Sequence, residues 1–361
     1  MRPIPASSDR RLPPTPSVRT RGVASAAALA LVAAIGLGGC GGDDRDEAAS
    51  AQGPQPSLVF PPTAYEPATS KGGGPTPAGR VVKLGGRPEG LAVDPASGLL
   101  GIALRDRAHG FAILDASTLE VRRTVPLLAD PRHVAVANGR FLVPMEDANR
   151  LAEVPARGGE PRLTKVGREP HAVTAAGGRI VVADEYADSL SVLEDGRLVG
   201  TAVVDVQPGG VADVGGGQVA VVSVRANTIS LVDLSTLRSG PSQSAGYGPS
   251  HAVAGDDGRV FVADTRGGAI LTYETKPRLK AVARLDLGGS PYGLAIDVER
   301  RRLWVTDSGA DELVEVSIDG EARKVGTKPT VQQPNTVAVD PRNGAVFIAS
   351  NATGELQRVE P

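Results

Sequence analysis

The chain has 361 residues, is 41% hydrophobic but only 3% aromatic, and carries 45 Gly, 29 Pro and a formal net charge of -2. So much Gly and Pro excludes a mainly helical protein, because both residues cut long elements into short ones. The near-neutral charge excludes a phosphate-binding surface, and a nucleic-acid partner with it. The single cysteine excludes an intrachain disulfide, a Cys-rich zinc site and a CxxC redox pair.

In chain order, Arg2, Arg10, Arg11, Arg19 and Arg21 precede the apolar stretch GVASAAALALVAAIGLGGC, which ends in small residues at Cys40. A basic start, a short apolar run and a small-residue processing site describe an export signal; the run is too short for a membrane span. The tetrad LGGC, Leu37 to Cys40, resembles the bacterial lipobox, which implies removal of residues 1–39 and lipid attachment to the Cys40 thiol. The expectation is an extracytoplasmic protein held to the bacterial cell membrane by that lipid. Residues 40–79 are rich in Gly, Pro, Ala and Ser, lack a sustained period and read as a disordered tether.

From residue 80 onward an anchoring proline precedes a short apolar run seven times, at Pro88, Pro131, Pro170, Pro208, Pro249, Pro291 and Pro334, with spacings of 43, 39, 38, 41, 42 and 43 residues. Each unit reads as several short strands, such as GLAVD or HVAVA, then RIVVAD or RVFVAD, then SLSVLE or TISLVD. A period near 40 with four strands per unit predicts an all-β fold over 80–361: a seven-bladed β-propeller of four-stranded antiparallel blades. The last unit offers only three strands, while RVVKL at 80–84 belongs to none, so the N-terminal strand is expected to close the last blade and protect its edge. The residue four after each proline is mostly small and is expected near the axis, where the sheets converge.

The stretches VGREPHAV with RIVVADEYADSLSVLE, and GGSPYGLAIDVERRRLWVTDSGADELVEVS, resemble the YVTN repeat, with Asp184, Asp264 or Asp307 where that motif has Asn. The resemblance covers residues 80–361 and implies a propeller; propellers of this kind include lyases, lactonases and scaffolds, so it leaves the activity open.

Strand parity places the proline loop and the loop after the second strand on one face. Those loops present Glu89 and Arg105; Arg132, His133, Glu146 and Asp147; Glu169, His171, Asp184 and Glu185; Ser223; His251 and Asp264; Tyr292 and Asp307; and Asn335, Ser350 and Asn351. Three of the four histidines lie just after an anchoring proline, His109 being the exception. Imidazoles and carboxylates around a funnel can bind a divalent cation or move a proton. Candidate metal ligands are therefore His133, His171, His251, Asp184 and Asp264, and candidate catalytic groups are the same histidines with Glu169 and Glu185. Against that stands the commoner use of such residues, an Asp capping a turn and a His bonding to backbone.

Two functions follow. The favoured one is a monomeric, membrane-anchored scaffold that binds a protein, glycan or small ligand at its loop-rich face. The alternative is a metal-assisted lyase or lactonase, which requires the three histidines to converge at a narrow axis.

Overall fold

The computed structural model describes residues 66–105 and 110–361; the export segment, Cys40 and His109 lie outside the described residues. Strands of alternating Val, Ile, Leu and polar residues form seven antiparallel sheets, and no helix occurs among the described residues. The protein is a seven-bladed β-propeller.

Blade three is representative. Its strands, Pro170–Ala176, Arg179–Asp184, Ser189–Glu194 and Arg197–Val203, pair in sequence order from axis to rim. The middle two are buried along nearly their whole length, whereas the rim strand is largely exposed. The core accordingly lies between adjacent blades: Leu142 and Leu151 of blade two pack with Val173, Val182 and Leu193 of blade three. Blade four departs from the pattern, its outermost strand being split into Arg238–Ser239 and Gln243–Ser244 around Gly240-Pro241. Proline has no N–H to give the ladder, and the break opens a cavity of about 420 Å³ beside the blade five loop.

The ring closes as the sequence predicts. Arg80–Lys83 adds to Glu355–Val359 as the outer strand of blade seven, with Val82 opposite Leu356. Gly79 turns into this strand at φ 72°, and a Cβ there would sit 2.3 Å from the Arg358 carbonyl oxygen.

Two expectations need correction. Residues 66–79, read as tether, lie against the propeller: the buried Ser70 hydroxyl donates to Asp311 Oδ2 at 2.6 Å, and the Ala78 amide donates to the Pro329 carbonyl at 2.9 Å. Composition signals the absence of regular structure, but small residues equally suit a segment lying flat on a surface. The axial channel, about 190 Å³, is lined chiefly by the second and third residues after each proline, such as Gly90, Leu91, Ala172, Val173, Gly293 and Leu294, rather than by the fourth. The inner strands shift register just after their prolines, between Pro88 and Gly90, Pro170 and Ala172, and Pro291 and Leu294 among others. That bulge turns the strand, so Ala92, Ala295 and Ala338 pack between blades instead.

Deleting residues 80–84 removes a strand and the packing of Val82 and Leu84 on blade seven. Losing those two side chains costs about 2–3 kcal/mol, which corresponds to a Tm lower by roughly 3–5 °C. The freed edge should also make association concentration-dependent. Thermal melts with light scattering test this, and an unchanged Tm would show that closure lies elsewhere.

Candidate functional site

The bulge after each proline directs the next two side chains toward the axis. The first residues are Glu89, Arg132, His171, Gly209, Ser250, Tyr292 and Asn335, and the second are Gly90, His133, Ala172, Gly210, His251, Gly293 and Thr336. The second ring is thus small except at blades two and five, which face each other across the axis. Glycine there also admits the neighbouring chain: a Cβ on Gly90 would meet the Arg132 carbonyl oxygen at 2.6 Å and His133 Cα at 2.9 Å. Two imidazoles can therefore span the channel, and His171 joins them from the first ring.

The histidines meet. His133 Nε2 lies 3.0 Å from His171 Nε2 and 3.0 Å from His251 Nε2, with ring centroids 4.7 and 4.6 Å apart. A neutral imidazole has one N–H and one lone pair, so a single nitrogen cannot make a good hydrogen bond to two others along one direction. His133 Nε2 therefore stands between the other two nitrogens, in an open row of imidazoles rather than at one corner of a closed triangle.

The surroundings favour neutral rings at His133 and His251. Burial, then the neighbouring His251 and His171, pushes His133 well below the usual imidazole range, and burial with His171 lowers His251 to about 3. His171 Nδ1 sits 2.8 Å from Glu185 Oε2, and Gln207 donates to Glu185 Oε1 at 2.7 Å. Burial would raise Glu185, but His171, Gln207 and Arg132 outweigh it and hold the carboxyl down at about 2. The ionised Glu185 carboxylate thus faces the Nδ1 edge of the His171 ring.

Beside this lies a braced ion-pair group. Arg132 donates to Glu89 Oε1 at 2.9 Å and Glu146 Oε1 at 2.7 Å, and Arg105 donates to Glu146 Oε2 at 3.2 Å. Burial opposes the charge on Arg132, yet Glu146 and Glu89 more than offset it and raise its pKa. One ligand atom each from Glu146, His171 and Glu185 fall within 4.8 Å of one another. Tyr292 packs edge-on against His251 at 4.6 Å, and burial raises its phenol well above the usual range, so it remains a neutral donor. A small cavity of about 30 Å³ at the mouth is lined by Glu66, Arg132, His171, Glu185, His251 and Tyr292 among others.

The remaining candidates fall outside the cluster. Asp184 is buried behind the loop, where it accepts from Ser191 Oγ at 2.7 Å; burial lifts it to about 6. Asp264 Oδ1 accepts from the amides of Tyr247, Gly248 and Gly267, and Arg284 holds Oδ2. Both organise loops, the turn-capping role that their position also allowed, because strand alternation points Asp184 away from the side that Glu185 faces. Glu169 stands at the rim in a left-handed conformation, φ 50°, raised by burial and by Glu146 and Glu185, and lines neither cavity.

Gln207 was not among the sequence candidates. It precedes Pro208 as Glu169 precedes Pro170, and both take positive φ, held by an Asx side chain of the preceding blade. Asn149 Oδ1 accepts from the Glu169 amide at 2.8 Å, Asp188 Oδ1 from the Gln207 amide at 2.9 Å and Asp311 Oδ1 from the Gln333 amide at 2.6 Å. The recurring Ala-Asn or Ala-Asp of DANR, YADS and GADE is the sequence trace of this latch.

No protein-family model matches the chain, and no curated protein sequence matches it. Solved structures do. A chain of Kuenenia stuttgartiensis hydrazine synthase is 18% identical, with TM-score 0.68, covering 78% of this chain and 97% of that one. Virginiamycin B lyase from Staphylococcus aureus is 14% identical, with TM-score 0.62, over 77% and 98%. The β-propeller domain of Myceliophteria thermophila Cps50 (Swd1) is 11% identical, with TM-score 0.66, over 78% and 100%. At these identities the likeness concerns the fold alone, on which enzymes and scaffolds both occur.

The metal-free protein should lose stability on acidification. An unfolded His251 takes up its proton near pH 6.5, whereas the folded one does so only at about 3, so the folded state is favoured fully above 6.5 and progressively less below it. From pH 6.5 to 5 this amounts to about 2 kcal/mol. Asp184, raised to about 6, works in the opposite sense down to its unfolded value of 3.8. Urea midpoints at pH 7 and 5 in chelator should therefore differ less for His251→Gln than for the unaltered chain, which shares the Asp184 contribution. Equal differences would mean that His251 is solvated.

Proposed function

We propose that this propeller holds a divalent metal ion at the His/carboxylate site of its funnel, on His171, Glu146 and Glu185, and uses it as a Lewis acid in lyase or lactonase-type chemistry outside the cytoplasm. The observation that carries this reading is that one ligand atom from each of these three residues lies within 4.8 Å of the others. Three protein ligands leave a tetrahedral ion one open position, the arrangement of catalytic rather than structural zinc. Bound there, the ion would polarise a carbonyl or lower the pKa of a water. Arg132 supplies a fixed positive charge at the mouth, and the neutral Tyr292 phenol beside His251 is placed to give a hydrogen bond to a developing oxyanion. The mouth cavity, about 30 Å³, admits only the reacting end of a substrate.

The scaffold reading keeps support from that same small cavity, since drug-sized ligands occupy roughly 300–1,000 Å³. On that reading the loop-rich face captures a protein, glycan or small ligand without chemistry. In both, the lipid on Cys40 anchors the propeller at the membrane, and replacing Cys40 with Ser should move the protein from the membrane fraction to the soluble extract.

Metal content and calorimetric titration of Zn²⁺, Mn²⁺, Ca²⁺ and Mg²⁺ into the full chain in detergent test the centre. Stoichiometric binding, with Zn²⁺ preferred over Ca²⁺ and Mg²⁺ by the imidazole ligand, is expected for the unaltered chain. It should be lost in His171→Ala and in Glu185→Ala, and kept in His251→Ala. A chain that takes up no metal would leave partner capture as its function.

A further inference from the structure

The cavity of about 420 Å³ at the broken rim of blade four shares no lining residue with the funnel. Its walls are braced on both sides of the break. Ser239 pairs with Val232 before it and Gln243 with Ile229 after it, and the Gly240 amide donates to the Leu231 carbonyl at 2.8 Å. Residues 240–242 thus stand against only Ser230 and Leu231, and the surplus residue makes the outer segment bulge. Ser242 Oγ donates to Asp205 Oδ2 at 2.6 Å. The Gln243 side chain bridges to blade five, donating to the Leu279 carbonyl and accepting from the Ala281 amide at 3.2 Å. An opening pinned in this way is a built feature of the rim rather than a frayed strand.

Two guanidiniums line the cavity from different blades, Arg238 from the outer strand of blade four and Arg278 from the blade five loop. Neither side chain makes a hydrogen bond or ion pair with any described residue, and nor does that of Gln218 beside them. By contrast Arg162 and Arg179, which line the cavity between blades two and three, are engaged by Glu153 and by the Leu234 carbonyl. Asp233 stands opposite Arg238 in the strand register, yet its Oδ1 is occupied by its own turn, accepting from the amides and hydroxyls of Ser235 and Thr236 at 2.6–3.1 Å. Those bonds, the Ser235 hydroxyl foremost, hold the Asp233 carboxyl down at about 2. Two guanidiniums against this one carboxylate leave the cavity a single positive charge, and Leu231, Leu279, Pro241 and Pro277 give it apolar walls.

We propose that this cavity is a second ligand site, which binds a small organic monoanion: a carboxylate, held by Arg238 and Arg278, on an apolar body lying against the leucines and prolines. Guanidinium meets carboxylate through parallel N–H···O bonds, and two guanidiniums without other partners can serve both oxygens. The single net positive charge suits a carboxylate better than a phosphate dianion. The volume falls within the roughly 300–1,000 Å³ that drug-sized ligands occupy, and Gln218 retains a free amide for a second polar group. The site needs nothing from the funnel, so it stands whether or not the funnel holds a metal.

The test is calorimetric titration of 1-naphthylacetate into the full chain in nonionic detergent, against a micelle blank, beside the neutral 1-naphthylacetamide and the dianionic 1-naphthyl phosphate. One saturable site is expected for the carboxylate, with the amide weaker by about tenfold or more and the phosphate also weaker. Arg238→Gln and Arg278→Gln should each weaken the carboxylate about tenfold and narrow its advantage over the amide, with the Tm of the chain unchanged. Absence of a saturable site for the carboxylate, or an affinity in the double variant within about twofold of the original, overturns the proposal. Tighter binding of the phosphate than of the carboxylate overturns the assignment of a monoanion.

Discussion

The geometry of this molecule depends on the register shift that follows the proline at the head of the inner strands. Without it, successive residues would alternate across the sheet, one toward each neighbouring blade, and the axis would be lined by backbone and small side chains. The shift lets two consecutive residues face inward, one at the mouth and one deeper. Proline is suited to this place because it lacks the N–H that the disturbed ladder would leave unpaired.

From that constraint follows the composition of the two rings. The deeper ring has room for a large side chain only where its neighbours have none, and the glycines of blades one, four and six leave space for His133 and His251 to reach across. The mouth ring carries the charges, and it is held rigid by mutual satisfaction. Arg132 is clamped between Glu89 and Glu146, while Glu185 is fixed by His171 and Gln207. Buried charges at this density are tolerated because each finds an opposite charge or a hydrogen bond. The left-handed residues before the prolines of blades three, four and seven are held by Asx side chains of the preceding blade, so the site is positioned by contacts between blades as well as within them.

The architecture was legible in the chain because a propeller is a local pattern repeated. The spacing of the prolines, the alternation within each strand and the surplus strand at 80–84 all act over distances shorter than one blade, and each has its counterpart in the structure. The candidate site was legible as a set of residues but not as a constellation. Asp184 and Glu185 are adjacent and chemically alike, yet one caps a loop and the other pairs with an imidazole, a difference set by which side of the strand end each faces. The residues 66–79 had the composition of a tether, and nothing local distinguishes a coil in solvent from a strap held by Ser308 and Asp311, more than two hundred residues away.

What the sequence by itself determined is therefore the number of blades, their strand order, the closure of the ring and the face on which the polar loops gather, because periodicity and strand parity are properties of short segments. What only the tertiary structure decided is that His133 meets both His171 and His251 at the axis, residues separated by 38 to 118 positions. Their meeting depends on the width of the channel and on small residues in other blades. Those are sums over the whole ring, which no single repeat contains.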